Sequence, residues 1–166
     1  IDECVNLELI LYNNLIDKSL LYNLNASDIV NVFLSGFSGT QKIFSYPIPN
    51  LIFTRDIAVT IGSLIVVTWA NKIVRNRENI LAKYVFNHHK IFDNIKTYDF
   101  NEHHPNLSVE GGDIIILGEK TICIGISERT SPDTIDALLP LFFEEGFQYI
   151  YAIDLPKCRS MMHLDT

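Results

Sequence analysis

Carboxylates and arginines recur along this chain beside glycines and short apolar runs, and their spacing is the first indication of chemistry. Glu110-Gly111-Gly112-Asp113 precedes an apolar run, Ile114–Leu117, and Ser127-Glu128-Arg129-Thr130 follows a second, Thr121–Ile126. Gly118-Glu119-Lys120 joins the two runs, which predicts a hairpin, and an antiparallel pair brings its beginning and end together. Glu110, Asp113 and Arg129 therefore belong at one end of a paired-strand unit, able to hold a ligand bearing both signs of charge. Asp56 and Asp165 stand at comparable places, with 113 − 56 = 57 and 165 − 113 = 52 residues between successive aspartates. Arg75 and Arg129 each fall at or near the start of a predicted helix. A cation there opposes the helix dipole at a cost of ~0.3–1 kcal/mol, which an anion bound alongside would relieve.

The elements that must position these residues follow from pattern. Val5, Leu9, Leu11, Tyr12, Leu15 and Ile16 recur at roughly the helical period, and a second helix is expected from the Ser27 N-cap to Gly36. Pro47 and Pro49 end that texture. Ile57–Ile61 and Leu64–Thr68 then read as a hairpin on the two-residue turn Gly62-Ser63, of type II′. A helix over 73–89 should bury Ile73, Ile80, Leu81, Tyr84 and Val85, with a short strand at 95–98 and a loop at 99–107. The order then repeats. After the 114–126 hairpin, the Ser131 N-cap and Pro132 start a helix that carries Ile135, Leu138, Leu139, Phe142 and Phe143 inward and ends at Gly146, with a kink or break at Pro140. Residues 148–153 alternate as a strand. A hairpin-helix-strand unit recurring near every 50 residues predicts a propeller or related radial array, in which the repeated side chains converge.

Composition narrows the function classes. A chain of 166 residues, 48% of them apolar, can bury a real core in one domain. Thirteen Lys and Arg against twenty Asp and Glu, with no basic run, argue against a nucleic-acid partner. No apolar run is long enough to span a bilayer, and no signal-peptide pattern opens the chain. Cys4, Cys123 and Cys158 are widely spaced and form no CxxC pair, so neither a disulfide framework nor a thiolate metal site is expected, and a reducing, cytoplasmic setting fits. His88-His89 and His103-His104 are adjacent pairs whose side chains diverge, and they read as solvated surface rather than metal ligands.

Pro49-Asn50-Leu51-Ile52-Phe53-Thr54-Arg55-Asp56, Glu110-Gly111-Gly112-Asp113, Ile126-Ser127-Glu128-Arg129-Thr130 and Met162-His163-Leu164-Asp165-Thr166, in this order and spacing, resemble the arginine deiminase family over about residues 46 to 166. The resemblance implies an α/β fold, a partial pentein propeller of ββαβ modules over 46–166, with 1–45 as the end of an inserted helical bundle. It implies a hydrolase that converts L-arginine to citrulline and ammonia through a covalent cysteine-amidino intermediate, without metal or organic cofactor. Asp56 and Asp165 would grip the guanidinium, His163 would act as general acid and base, and Glu110 would orient the imidazole. Asn50, Arg75 and Arg129 would hold the substrate's carboxylate end, and Asp113 would support the site or touch the substrate. Ile57 stands where many members have proline, and 62–71 also departs from the common pattern, so a divergent subgroup is expected. The family's nucleophilic cysteine lies beyond the His-Leu-Asp motif, so with Ile1 at the start the chain is expected to be the middle piece of a longer enzyme. Cys158, flanked by Lys157 and Arg159, matches no family nucleophile. The expected partners are a small guanidine substrate, no nucleic acid, no membrane, and a further copy or complementary chain supplying missing modules. Alternatives are related enzymes acting on agmatine, methylarginine or peptidyl-arginine, an amidinotransferase, a non-catalytic pentein-fold binding protein, or a split-gene pseudoenzyme.

Overall fold

The computed structural model describes residues 1–166. Two ββαβ modules follow a helical lead. The lead holds α1 (Asp2–Tyr12), α2 (Lys18–Tyr22) and α3 (Ala26–Ser35), then a two-stranded ribbon, β1 (Phe37–Ser38) and β2 (Gln41–Lys42). The N-cap of α3 is Asn25, whose side chain accepts from the Asp28 N–H, two residues ahead of the expected Ser27. Gly36 ends α3 in the left-handed region at φ 84°, a conformation that glycine adopts without Cβ strain.

In the first module, α4 (Thr54–Ile57) leads into β3 (Ala58–Ile61) and β4 (Leu64–Val67), then α5 (Asn76–His88) and β5 (Lys96–Asp99). Gly62 has φ 60° while Ser63 does not turn positive, as the two-residue type II′ turn requires. In the second module, α6 (Phe100–His103), a single turn where a loop was expected, precedes β6 (Ile114–Gly118) and β7 (Thr121–Ile126), then α7 (Pro132–Glu144) and β8 (Tyr149–Asp154). Each hairpin is antiparallel, and each returning strand pairs parallel to the hairpin's second strand, β5 on β4 and β8 on β7. The sheets have three strands each and are open, so the α/β fold stands while the expected propeller does not close within these residues.

Two helices depart from expectation for identifiable reasons. Ser131 caps α7 by accepting from the Thr134 N–H, as read, but Pro140 does not break the helix. Pro140 and Asp136 both face solvent, so the ring meets no packed neighbour and water can serve the carbonyl that loses its donor. Its buried residues include Ile135, Leu138, Leu141 and Phe142, whereas Phe143 is exposed. The predicted inner face of the 73–89 helix holds only in part: Ile80 is buried and Leu81 packs against the same core, but Ile73, Tyr84 and Val85 are exposed, and Asn76, Arg77, Glu78, Asn79 and Ala82 are buried instead. The first turn of α5 is wedged between the lead and the site, where burying charge is tolerated only because partners are present. Arg77, for example, lies over the Phe44 ring at 4.3 Å and donates to the Tyr46 carbonyl.

One apolar core joins the modules, with Ile61, Leu64, Val66, Ile122, Leu138 and Phe142 inside it. A second, containing Val5, Leu21, Phe33 and Phe44, ties the lead to Ile80 of α5. Trp69 packs against both cores, and its backbone exchanges N–H···O bonds with Val109, just ahead of the Glu110 motif. No helix is long and apolar enough to cross a membrane.

Candidate active site

The strand ends and connecting turns bring the sequence motifs to one cavity of about 1040 Å³, lined among others by Asn50, Asp56, Arg75, Glu110, Arg129, His163 and Asp165. Asp113 is not on that lining. It is fully buried beneath it, accepting from Ser127 Oγ at 2.6 Å, Thr130 Oγ1 at 2.7 Å and the Leu164 N–H at 3.1 Å. Burial raises the Asp113 pKa above its ordinary value despite the hydroxyl donors. With the Asp165 N–H donating to the Gly112 carbonyl at 3.2 Å, these bonds hang the His-Leu-Asp segment on the Gly-Gly-Asp segment fifty residues away.

Gly112 is required by proximity. A Cβ there would lie 2.7 Å from His163 Nδ1 and 2.8 Å from Asp165 Oδ1, so the imidazole and the carboxylate rest directly on its backbone. A Cβ on Gly111 would lie 2.0 Å from the Arg55 carbonyl oxygen, which locks α4 against the same segment. Asp56 is held at the end of α4 by its own carbonyl, which accepts from Thr68 Oγ1 at 2.6 Å, and Thr68 Oγ1 in turn accepts from Asn79 Nδ2 at 3.1 Å.

The imidazole of His163 sits between two carboxylates. Its Nε2 is 2.8 Å from Glu110 Oε2, and its Nδ1 is 3.5 Å from Asp56 Oδ1. Burial alone would lower the His163 pKa, but the Glu110 hydrogen bond, with the charges of Glu110 and Asp56, raises it on balance. Glu110 is fully buried and also accepts from Arg129 Nη1 at 2.8 Å and from the Asn71 N–H at 3.3 Å. Burial would raise its pKa, yet the hydrogen bonds from His163 and Arg129 outweigh it, and the net shift is downward. The pair therefore favours imidazolium beside carboxylate, with Nδ1 over Gly112 and toward Asp56.

Arg75, expected at a ligand's carboxylate end, is engaged inward. Its Nη1 donates to Asp56 Oδ2 at 2.6 Å, Nε and Nη2 donate to Glu78 Oε2 at 3.0 and 2.9 Å, and Nη2 reaches the Asn50 carbonyl at 3.4 Å. Glu78 also accepts from the Asn50 N–H at 3.0 Å. Glu78, which holds Arg75 beside the cavity, is the residue that sequence reasoning missed, and the signal was present: Arg75 and Glu78 are three apart at a helix start, where side chains meet. Arg129 has a buried Nε–H with no partner, its Nη1 being on Glu110 and its Nη2 at 3.5 Å from Met162 Sδ. Asp165 lies beside His163 over Gly112, with Oδ2 3.0 Å from Arg55 Nε.

Donor atoms of Asp56, Glu110 and His163 lie within 4.8 Å of one another, a spacing that would suit a metal ion. The positive charge facing those carboxylates is supplied by Arg75 and Arg129 at 2.6 and 2.8 Å. The cavity lining carries four carboxylates (Asp56, Glu110, Glu128, Asp165) and five basic side chains (Arg55, Lys72, Arg75, Arg129, Arg159), so both signs of charge stand on it.

The sequence profile of the family described as "Arginine deiminase" matches residues 31–166. The chain is similar to arginine deiminase of Bacillus cytotoxicus, with 38% identity over 122 residues, 72% of this chain and 30% of that protein. It is also similar to arginine deiminase of Listeria welshimeri, with 29% identity over 179 residues, 93% of this chain and 44% of that protein. The chain thus spans under half the length of these relatives. Two solved pentein-fold structures share the fold. The N-terminal domain of ArgZ, covalently bound to a reaction intermediate, superposes with a TM-score of 0.58 at 19% identity, over 71% of this chain and 40% of that one. DDAH from Pseudomonas aeruginosa, in complex with citrulline, gives a TM-score of 0.53 at 19% identity, over 70% and 42%.

Proposed function

The chain belongs to the arginine deiminase family, and from that premise we propose that its cavity binds free L-arginine within a hydrolase that yields citrulline and ammonia. The observation that carries the reading is the imidazole of His163 clasped between Glu110 and Asp56 on a cavity that also holds Asp165. A planar guanidinium fits between carboxylates as a multiple hydrogen-bond donor, and charge-assisted bonds polarise its carbon toward attack. Asp56 and Asp165 take this role. Arg75 keeps Asp56 aimed, through the bond from its Nη1 to Asp56 Oδ2. Arg129 and Asn50, both on the lining, receive the α-carboxylate, while Asp113 supports the floor.

In this reading a cysteine thiolate forms a bond to the guanidinium carbon and the carbon–nitrogen bond breaks, with His163 delivering the proton that releases ammonia. Water, deprotonated by His163, then displaces the thiolate and leaves citrulline. The thiolate comes from outside residues 1–166. Cys4 and Cys123 are buried, and Cys158 is exposed with Sγ 3.3 Å from Ser160 Oγ, off the cavity lining.

Titration of the 166-residue chain with L-arginine, followed by backbone amide NMR shifts, tests the binding half. Saturable shifts around Gly112 and His163 are expected, and Asp165→Asn should weaken binding at least about tenfold, the loss expected for a charge-assisted pair. Binding that is absent, or indifferent to Asp165→Asn, removes the reading.

A further inference from the structure

Arg55 is drawn into the cavity wall by two contacts of its own. Its Nε lies 3.0 Å from Asp165 Oδ2, and its Nη2 donates to the Ile114 carbonyl of β6 at 3.0 Å. Its carbonyl oxygen is pressed onto Gly111, where a Cβ would lie 2.0 Å away. The side chain is therefore fixed at both ends although it is 58% exposed. Asp165 Oδ1, the other carboxylate oxygen, lies over Gly112 beside His163 Nδ1.

We propose that Arg55 is a positioning residue that occupies one oxygen of Asp165 and tethers it to β6, leaving the other oxygen for the guanidinium group of the substrate. The proposal rests on the arginine-binding reading above. The division of labour follows from geometry. An arginine fork reaching two acceptors at once fixes direction as well as charge, which a point cation cannot do. Asp165 otherwise has freedom in its side-chain torsions, and a carboxylate swung toward solvent presents neither oxygen to a guanidinium beside His163. An ion pair this exposed adds little to folding stability. Its consequence should appear in ligand binding instead, where misplacement of one contacting group is costly.

The test compares Kd values of the 166-residue chain for L-arginine and for methylguanidine, which lacks the amino-acid end. Arg55→Ala is expected to weaken both by about tenfold and in parallel, because Asp165 serves the group they share. Arg55→Lys, which keeps charge but cannot reach Asp165 and the Ile114 carbonyl together, should fall between. In an Asp165→Asn background, Arg55→Ala should change neither affinity further, the signature of action through that one carboxylate. The urea midpoint of Arg55→Ala should match wild type, and if that variant does not fold, Arg55→Gln carries the same comparison. Unchanged affinity overturns the proposal, as does a loss that persists in the Asp165→Asn background. Tighter binding by Arg55→Ala also overturns it, by making Arg55 a competitor for the pocket. If wild type binds neither ligand, the arginine reading itself falls and the proposal falls with it.

Discussion

Replacing Glu110 with glutamine probes the buried charge network directly, without reference to turnover. Glu110 Oε2 meets His163 Nε2 at 2.8 Å and Oε1 meets Arg129 Nη1 at 2.8 Å, and the Glu110 side chain is fully buried. A glutamine oxygen can keep one of these donors, and its NH₂ then opposes the other. Hydrogen bonds to charged groups contribute about 1.5–3 kcal/mol each, so losing one and weakening the second should cost roughly 2–3 kcal/mol. Alanine would remove both and strand Arg129, a change on the order of 3–5 kcal/mol and a sizeable share of a domain's stability, which makes glutamine the better probe. With a urea slope of about 1–3 kcal/mol per molar, the Glu110→Gln midpoint should fall by roughly 0.7–3 M. The imidazole reports separately. Burial lowers the His163 pKa, while Glu110, together with the charges of Asp56 and Asp113, raises it, so the variant's His163 should titrate below its position in wild type in a proton NMR pH series. A midpoint within about 0.3 M of wild type, or a His163 titration that does not move, would refute the assignment of Glu110 as the partner that holds this ring.

The remaining predictions concern the same few atoms. The stability difference between wild type and Glu110→Gln should depend on pH. The raised pKa of His163 makes its contribution complete below the ordinary value of 6.5 and lost as pH rises through the folded value; the lowered pKa of Glu110 makes its contribution complete above 4.5 and lost as pH falls through the folded value. Denaturation series from pH 3 to 9 should therefore show the largest difference between 4.5 and 6.5, and a flat profile would contradict it. Gly112→Ala inserts a methyl 2.7 Å from His163 Nδ1, so it should destabilise by roughly 1–3 kcal/mol and abolish L-arginine binding while far-ultraviolet circular dichroism stays native. Retained affinity in that variant would show that the imidazole and Asp165 do not rest on this backbone.

What the amino-acid sequence reveals most readily here is what is local. The Gly62-Ser63 turn, the Ser131-Pro132 helix start and the two apolar runs around Gly118 each specify their own geometry, and the structure agrees at all three. The motif residues Asp56, Glu110, His163 and Asp165 were likewise legible, because their order and spacing are characteristic, and they line one cavity. The inner face of α5 was hidden because apolar periodicity assumes that burial follows hydrophobicity. At the start of α5 burial follows charge pairing instead, through Arg75 with Asp56 and Glu78, whose acceptors lie on both sides of it in sequence. The bond of Arg75 to Asp56 and the hold of Arg55 on Asp165 were hidden for another reason: each joins side chains that are not neighbours in the sequence.

Trp69 is the sole tryptophan of the chain, and it stands where the interior of the helical lead meets that of the paired modules. Its backbone is stitched to the residue that immediately precedes Glu110. Loosening of the lead should thus be felt at the anchor of the imidazole's carboxylate partner, and the emission of this single indole should report it.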